Sequence, residues 1–137
     1  MPVSDARARF AQARVARLAT VRPGGRPHLV PIVFAIDGDR LYSIVDAKPK
    51  RGPDLLRIRN IAAEPRVSLL ADHYADDWQA LWWVRVDGIA TVVERGPDRD
   101  TAIRLLFDKY PQYAEWSTPI GSAMVVRIER WSSWSLS

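Results

Sequence analysis

Two glycine-containing turns divide the first third of the chain into short apolar segments, and this division constrains the fold more than any other feature of the sequence. One turn contains Gly24 and Gly25 and separates residues 15–21 from residues 28–36. The other contains Gly38 and separates residues 28–36 from residues 41–45. Apolar runs of this length that are joined by such turns are typical of β-hairpins. We therefore expect three strands that form one meander.

Pro31 lies inside the second of these segments. Proline has no backbone N–H group and cannot donate to a sheet ladder, so it is confined to edge strands and kinks. The sequence therefore predicts that this strand lies at an edge of the sheet or is kinked. Either arrangement leaves local backbone free to contact a flat ligand.

Helices and strands alternate in the remainder of the chain. We expect a helix capped by Ser4, a second helix from about Pro53 to Ala63, and a third that begins at Pro97. Strands are expected over residues 67–71, over 81–93 with a bulge at the Asp87 step, and over 123–131. The predicted order is helix, three strands, helix, two strands, helix and one strand. This order indicates one α+β domain over residues 1–137, a six-stranded antiparallel barrel with peripheral helices.

The second predicted helix has an apolar face. Leu55, Ile58 and Ala62 recur at helical spacing. We therefore expect these three side chains to be the ones that the helix buries.

The composition excludes several kinds of site. The chain has no cysteine, so it has neither disulfides nor thiolates for metal binding or catalysis. Its two histidines, His28 and His73, are too far apart in sequence to form a metal-ligand motif, and we expect no metal site. No apolar stretch approaches the roughly 20 residues of a membrane span, and the N-terminal region lacks the apolar centre of a secretory signal. We therefore expect a cytoplasmic protein with no membrane partner.

Positive charge is concentrated in residues 46–60, where a strand gives way to a helix. The net charge of the whole chain is +4, and this segment alone carries five cationic side chains, Lys48, Lys50, Arg51, Arg57 and Arg59. A helix that begins at Pro53 offers unpaired N–H groups and the positive end of its dipole. The segment therefore predicts a phosphate site. The alternative is that these side chains only solvate a loop and one face of the helix.

A basic protein with many aromatic residues is also compatible with nucleic-acid binding. The tryptophans, however, lie outside the basic segment, so the interleaving of stacking and phosphate-binding residues is missing. We expect no nucleic-acid partner.

Candidate proton donors are Tyr42, His28 and His73, each of which is equally explained as a structural group, and no catalytic residue is assigned.

Several segments in this order resemble the split β-barrel family. They are RLATVRPGGRPHLVPIVF over residues 17–34, LYSIVDAKPK over 41–50 and LRIRNIAAEPRVS over 56–68, with further similarity over 72–78, over 81–88 and in the last strand. That family includes the pyridoxamine 5′-phosphate oxidase-like flavin proteins and their relatives that depend on the deazaflavin coenzyme F420. The last residues have the types of the vitamin-phosphate oxidase signature without its spacing, which disfavours that activity.

The resemblance implies a cofactor site. Basic residues after the third strand and on the next helix would hold the cofactor phosphate. They correspond here to Lys48, Lys50 and Arg51, with Arg57 and the neutral Asn60 as second candidates. The ring system would lie against the second and third strands, largely on backbone, at Val30, Pro31, Ile32 and Val33. Trp82 and Trp83 are candidates to close the cleft from the partner subunit of a homodimer. They are equally explained by packing in the core or between subunits.

The implied activity is hydride transfer from reduced coenzyme F420 to an unsaturated small-molecule acceptor. Two alternatives remain open. One is an FMN-dependent oxidoreductase of the same fold, and the other is a non-catalytic protein that binds a flavin or a tetrapyrrole.

Overall fold

The structure is a computed structural model that describes residues 1–46 and 53–136. Its α-helices are α1 (Val3–Gln12), α2 (Pro53–Ala63) and α3 (Pro97–Lys109), and two short 3-10 helices span Trp78–Ala80 and Pro111–Glu115. The strands are β1 (Ala16–Val21), β2 (Pro27–Ile32), β3 (Ala35–Asp37), β4 (Arg40–Asp46), β5 (Arg66–His73), β6 (Trp82–Val93) and β7 (Ile120–Ser135). Within the described residues these strands form one antiparallel sheet in the order β2-β1-β5-β6-β7-β4-β3.

The two edge strands of this sheet are consecutive in the chain. β2 ends at Ile32 and β3 begins at Ala35, although the sheet order places them at opposite edges. Three residue steps span at most about 11 Å, so the two edges must meet here. The sheet therefore curls into a barrel, and we call the line where β2 and β3 meet, at Val33 and Phe34, the seam. The hydroxyl of Ser43 in β4 donates to the carbonyl oxygen of Val33 at 2.8 Å and ties β4 to the seam.

The prediction of one strand over residues 28–36 was wrong. Ile32 pairs with Ala16, the first residue of β1, so β2 has no ladder partner on that side beyond this point. The chain crosses the seam and resumes as β3, which pairs with β4. The sheet consequently has seven strands rather than six, and the expected meander is interrupted. The edge position that Pro31 predicted for β2 is confirmed.

Helix α2 has the predicted bounds but buries a different face. Arg57, Asn60 and Ile61 are 4%, 0% and 3% exposed, whereas Ala62 is exposed. The reason is a polar contact, because the side-chain amide of Asn60 donates to the hydroxyl of Thr20 in β1 at 3.0 Å. A buried hydrogen-bonded pair of this kind orients the helix, and a search for apolar periodicity misses it.

Two other local predictions had different outcomes. The expected cap at Ser4 was wrong, because α1 begins at Val3 and its N-cap residue is Pro2, with no side-chain hydrogen bond. The expected bulge is confirmed. Asp87 pairs with Arg130 and Gly88 with Ile128, so the extra residue of the bulge is Glu129 on β7.

Two apolar clusters form the core. The larger one fills the barrel beneath α1, where the ring of Phe10 lies 5.1 Å from that of Phe34 and 5.8 Å from that of Trp131. The smaller one packs α3 against β4 and β7 through residues such as Leu106 and Tyr110. None of the helices in the described part of the chain is long and apolar enough to cross a membrane.

Candidate functional site

A small pocket opens at the seam, with a volume of about 150 Å³. We call it the seam pocket. Its lining comes from the end of β2, the middle of β4 and one side chain of α2, namely Pro31, Ile32, Val33, Ser43, Ile44, Val45 and Arg57. The structure thus brings together four residues that the sequence analysis selected for different reasons, Pro31, Ile32 and Val33 as a ring platform and Arg57 as an anion ligand.

Backbone groups provide much of the polarity of this pocket. The surface that it exposes is largely polar, although five of its seven lining residues are apolar. Among the described strands only β1 pairs with β2, so one side of the β2 backbone faces away from the ladder. Because Pro27 and Pro31 have no N–H group, this free side offers mainly carbonyl oxygens. A flat ligand with hydrogen-bonding groups along its edge suits such a surface.

Arg57 brings a permanent positive charge to this pocket. Its side chain projects from α2 and is almost completely buried. A guanidinium stays protonated in proteins. Guanidinium groups bind phosphate through two parallel hydrogen bonds, so an anionic group at the seam would meet a preformed partner.

Two further predicted residues lie close in sequence to this site but face elsewhere. Asn60, one turn after Arg57 on α2, is fully buried against Thr20 and does not line the seam pocket. Its contact fixes α2 on β1 and therefore helps to fix the position of Arg57. Val30 packs against the larger core cluster inside the barrel.

Trp82 and Trp83 lie at another pocket. They are neighbours in β6, and they therefore point to opposite sides of the sheet. Trp82 packs against the larger core cluster and stacks on His73 at 6.5 Å, and Trp83 pairs across the ladder with Trp134. Both tryptophans line a pocket of about 680 Å³, which we call the outer pocket, although only Trp83 points to the outer face of the sheet. No residue of the outer pocket lines the seam pocket, so the described part of one chain does not bring these tryptophans to Arg57.

The remaining predicted anion ligands are Lys48, Lys50 and Arg51, and they lie outside the described residues. In the sequence they occupy the stretch between Asp46, the last residue of β4, and Pro53, the first residue of α2.

Candidate proton donors do not line the described surface of the seam pocket. Tyr42 is buried, and this burial, followed by the nearby charge of Asp98, raises the pKa of its hydroxyl. His73 is exposed beside Trp82, and His28 faces the barrel interior. The seam pocket therefore offers orientation and positive charge rather than a proton.

The resemblance implied that the third strand, which is β4 in the structure, would contribute to the site, but the sequence selected no residue of β4 and missed a second pocket beside the seam pocket. The second pocket has a volume of about 280 Å³ and is lined by Val33, Tyr110, Gln112, Tyr113 and Trp116. We call it the aromatic pocket. A signal for it was present, because its three aromatic residues follow one another at intervals of three, the period of a 3-10 helix.

Tyr110 fastens the seam from the side of α3. Its hydroxyl accepts a hydrogen bond from the N–H group of Phe34 at 3.2 Å, and lies 3.0 Å from the carbonyl oxygens of Phe34 and Arg14, to either of which it can donate. Burial raises the pKa of this hydroxyl, so it keeps its proton at neutral pH. One side chain thus connects α3, the seam and the start of β1.

Comparisons with known proteins agree with this architecture. A family model described as pyridoxamine 5′-phosphate oxidase matches residues 4–135. No curated protein matches the sequence.

Solved structures from several bacteria share the fold. A conserved hypothetical protein of Mycobacterium tuberculosis is 22% identical over 98% of this chain and 85% of its own, with a TM-score of 0.78. A FAD-binding protein of Mesorhizobium loti is 24% identical over 97% and 94%, with a TM-score of 0.65. A heme binding protein of Mycobacterium smegmatis is 21% identical over 98% and 59%, with a TM-score of 0.72. At these identities the comparison shows a shared fold.

Proposed function

The chain belongs to the pyridoxamine 5′-phosphate oxidase family, and on this basis we propose that it is an oxidoreductase that binds a phosphorylated, flavin-type cofactor at the seam pocket. The observation that carries the proposal is the position of Arg57, a buried cation that lines a polar pocket beside an edge strand. Such a pocket matches the two chemical parts of the cofactor. A guanidinium suits the phosphate, and the free backbone row of β2 suits the hydrogen-bonding edge of the ring.

The residues that would hold the phosphate are Arg57 together with Lys48, Lys50 and Arg51. The last three directly precede α2 in the sequence, so a charge cluster around the start of that helix supports the assignment. Residues Pro31, Ile32 and Val33 would carry the ring, mainly through backbone contacts. Apolar side chains of β4 would exclude water from it.

We further propose that the cofactor is coenzyme F420. When bound and reduced, this deazaflavin supplies a hydride to an unsaturated small-molecule acceptor. The chain contributes orientation, exclusion of water and positive charge at the anionic tail, which are the protein's usual contributions to such chemistry. FMN is the alternative cofactor for the same residues.

A second copy of the chain would complete the site. Small-molecule pockets usually measure roughly 300–1,000 Å³, and the seam pocket, at about 150 Å³, encloses only part of a tricyclic ring. The outer face carries exposed apolar side chains, among them Leu29 at 66% and Trp134 at 42% exposure, and exposed apolar clusters mark interaction surfaces. We propose a homodimer that buries the outer face and brings Trp82 and Trp83 of one subunit towards the seam of the other.

One observation favours a second candidate function, the non-catalytic binding of a flavin or a tetrapyrrole. The outer pocket is large enough for such a ligand and contains His73 and Tyr74, whose side-chain types ligate heme iron in other proteins. The similar fold of a heme binding protein is compatible with this alternative.

The experiment that tests the main proposal is a parallel equilibrium titration of the purified chain with F420, FMN, riboflavin and heme, followed by tryptophan quenching. The proposal expects tight binding of F420 or FMN and weaker binding of riboflavin, which lacks the phosphate. Preferential binding of heme would instead support the second candidate function.

Substitution of Arg57 makes this test specific. Arg57→Lys keeps the charge but loses the two-pronged geometry, and it should weaken FMN binding about tenfold or more, since hydrogen bonds to charged groups contribute roughly 1.5–3 kcal/mol. Riboflavin binding serves as the control for intact folding, and Arg95→Ala, which removes an exposed cation from another loop, is the matched variant. Lys48→Ala and Lys50→Ala should also weaken FMN and F420 binding. Equal affinity of the parent chain and all three site variants for both cofactors would contradict the proposal.

A further inference from the structure

We propose that the aromatic pocket is a binding site for an uncharged, planar aromatic ring of about two fused cycles. The binding of such a ring does not depend on the proposed function. The further statement that the bound ring is the acceptor of the reaction rests on the proposed function. The proposal follows from the way in which three aromatic rings are presented, from the charges around them and from the position of the pocket.

The short 3-10 helix presents the three rings on one side. The N–H group of Tyr113 donates to the carbonyl of Tyr110 at 3.1 Å, and the N–H group of Trp116 donates to the carbonyl of Tyr113 at 3.0 Å. Tyr110 is the N-cap residue of this helix and Trp116 is its C-cap residue, so their rings flank that of Tyr113 at the two ends of the helix. Tyr113 meets each of the other two rings edge to face, with centroid distances of 6.4 Å and 5.8 Å.

Tyr113 and Trp116 form the accessible part of this pocket, whereas Tyr110 is buried behind them. Trp116 is 48% exposed, and Tyr113 is held in place by Phe107, whose ring stacks on it at 4.8 Å with an interplanar angle of 7°. Edge-to-face and stacked contacts orient a ring firmly. The pocket is therefore a preformed surface that a further ring can extend.

The size and lining of the pocket suit a small neutral molecule. Its volume of about 280 Å³ lies at the lower end of the range for small-molecule pockets. Among the described lining residues none is charged. The one non-aromatic polar side chain among them is that of Gln112, and its amide can form a hydrogen bond with a substituent of the bound ring.

The charges behind the pocket argue against a cationic ligand, the usual alternative for a group of aromatic rings. The guanidinium of Arg14 already lies 4.5 Å from the ring centroid of Tyr110, and the ammonium of Lys109 lies 5.2 Å from the same ring. Both cations lie against the buried ring of the three, and their charges would repel a cation bound beside Tyr113 and Trp116.

The position of the pocket connects it with the seam. Val33 lines both the aromatic pocket and the seam pocket, so the two cavities are neighbours across one residue. A ring bound to Tyr113 and Trp116 would therefore lie beside a cofactor bound at the seam.

An isosteric pair of ligands tests the inference. Quinoline, which is neutral at pH 8, and N-methylquinolinium, which is cationic, have almost the same shape, and their binding to the cofactor-free chain can be measured by equilibrium dialysis. We expect quinoline to bind with a dissociation constant of about 0.1–1 mM, which is typical of a ligand with so few atoms. N-methylquinolinium should bind at least about threefold more weakly. Trp116→Leu should weaken quinoline binding about three- to tenfold, since it removes one ring contact. The matched control is Trp78→Leu, because Trp78 is similarly exposed but lies in no part of this pocket.

Each outcome decides the inference. It is overturned if quinoline fails to bind, if Trp116→Leu binds it as well as the control does, or if the cation binds more tightly than quinoline. Titration of the same preparations with FMN and F420 reports separately on the seam. Quinoline binding that depends on Trp116, in a chain that binds neither cofactor, would leave the aromatic pocket established and the proposed function refuted.

Discussion

Replacement of Lys109 by methionine should stabilise the protein at neutral pH. The ammonium of Lys109 lies 3.8 Å from the ring centroid of Phe34, is shielded from solvent and has no hydrogen-bond partner among the described residues. Desolvation, and secondarily the charge of Arg14, lower the pKa of this amine from 10.5 to about 8. The folded protein therefore holds a proton at Lys109 less tightly than the unfolded chain does.

The magnitude follows from linkage. The difference between 10.5 and about 8 corresponds to an upper bound of about 3.5 kcal/mol, since one pKa unit is about 1.4 kcal/mol. Lys109 is not fully enclosed, and solvent screening reduces the effect, so we expect about 1–2 kcal/mol. The destabilisation caused by Lys109 is fully present below pH 8 and decreases as the pH rises towards 10.5. The reason is that between pH 8 and 10.5 the unfolded chain binds the proton and the folded protein does not.

The assay is urea denaturation of the parent chain and of Lys109→Met at several pH values between 6 and 10. The variant should unfold at higher urea at pH 7, and its advantage should shrink as the pH rises above 8. The difference in the free energy of unfolding between the parent chain and the variant cancels the contribution of other titrating groups. Arg95→Met is the matched control, because it replaces an exposed cation by the same residue. A variant that is less stable at pH 7, or an advantage that grows above pH 8, would refute the reasoning.

Three further predictions concern the sheet, the seam and the outer face. Gly88→Ala should destabilise the protein by about 1–3 kcal/mol in urea denaturation, because a Cβ atom at this bulge would overlap the carbonyl oxygen of Arg127. An unchanged denaturation midpoint would contradict the close approach of β6 to β7 at this position. Tyr110→Phe leaves the buried N–H group of Phe34 without its acceptor and should cost about 1–3 kcal/mol, with faster amide exchange at Phe34 as the specific signature. Leu29→Glu places a charge on the outer face and should shift the mass measured by light scattering from dimer to monomer without loss of folding, whereas a parent chain that is already monomeric would refute the proposed homodimer.

Local backbone chemistry accounts for the predictions that succeeded. The turns are at the predicted glycines, which have the positive φ that few other residues tolerate, 93° at Gly24 and at Gly25 and 61° at Gly38. Helix α3 begins at Pro97 after Gly96, whose φ is 105°, and α2 begins at Pro53 as predicted. These signals work because glycine and proline limit φ whatever the rest of the chain does.

Predictions that required knowledge of a distant partner were less successful. The break between β2 and β3 depends on where β1 begins, and the buried face of α2 depends on a hydroxyl in β1, forty residues away in sequence. The sequence selected Arg57 and four residues of the ring platform, and the structure brings Arg57 and three of those four to one pocket. Ser43, which lies on the strand that the resemblance implied, was not selected by any local pattern. Trp82 and Trp83 were assigned to the same site, and the structure of one chain leaves that assignment to the proposed dimer.

The amino-acid sequence by itself determined the turns, the starts of α2 and α3, the edge position of β2 and the family, because these depend on residues that are close together along the chain. Only the tertiary structure decided that the sheet closes at Val33 and Phe34, that Arg57 is buried there and that an aromatic pocket adjoins it. The physical reason is that barrel closure joins the two outermost strands, and the contacts that result are determined by the packing of the whole sheet rather than by any local segment.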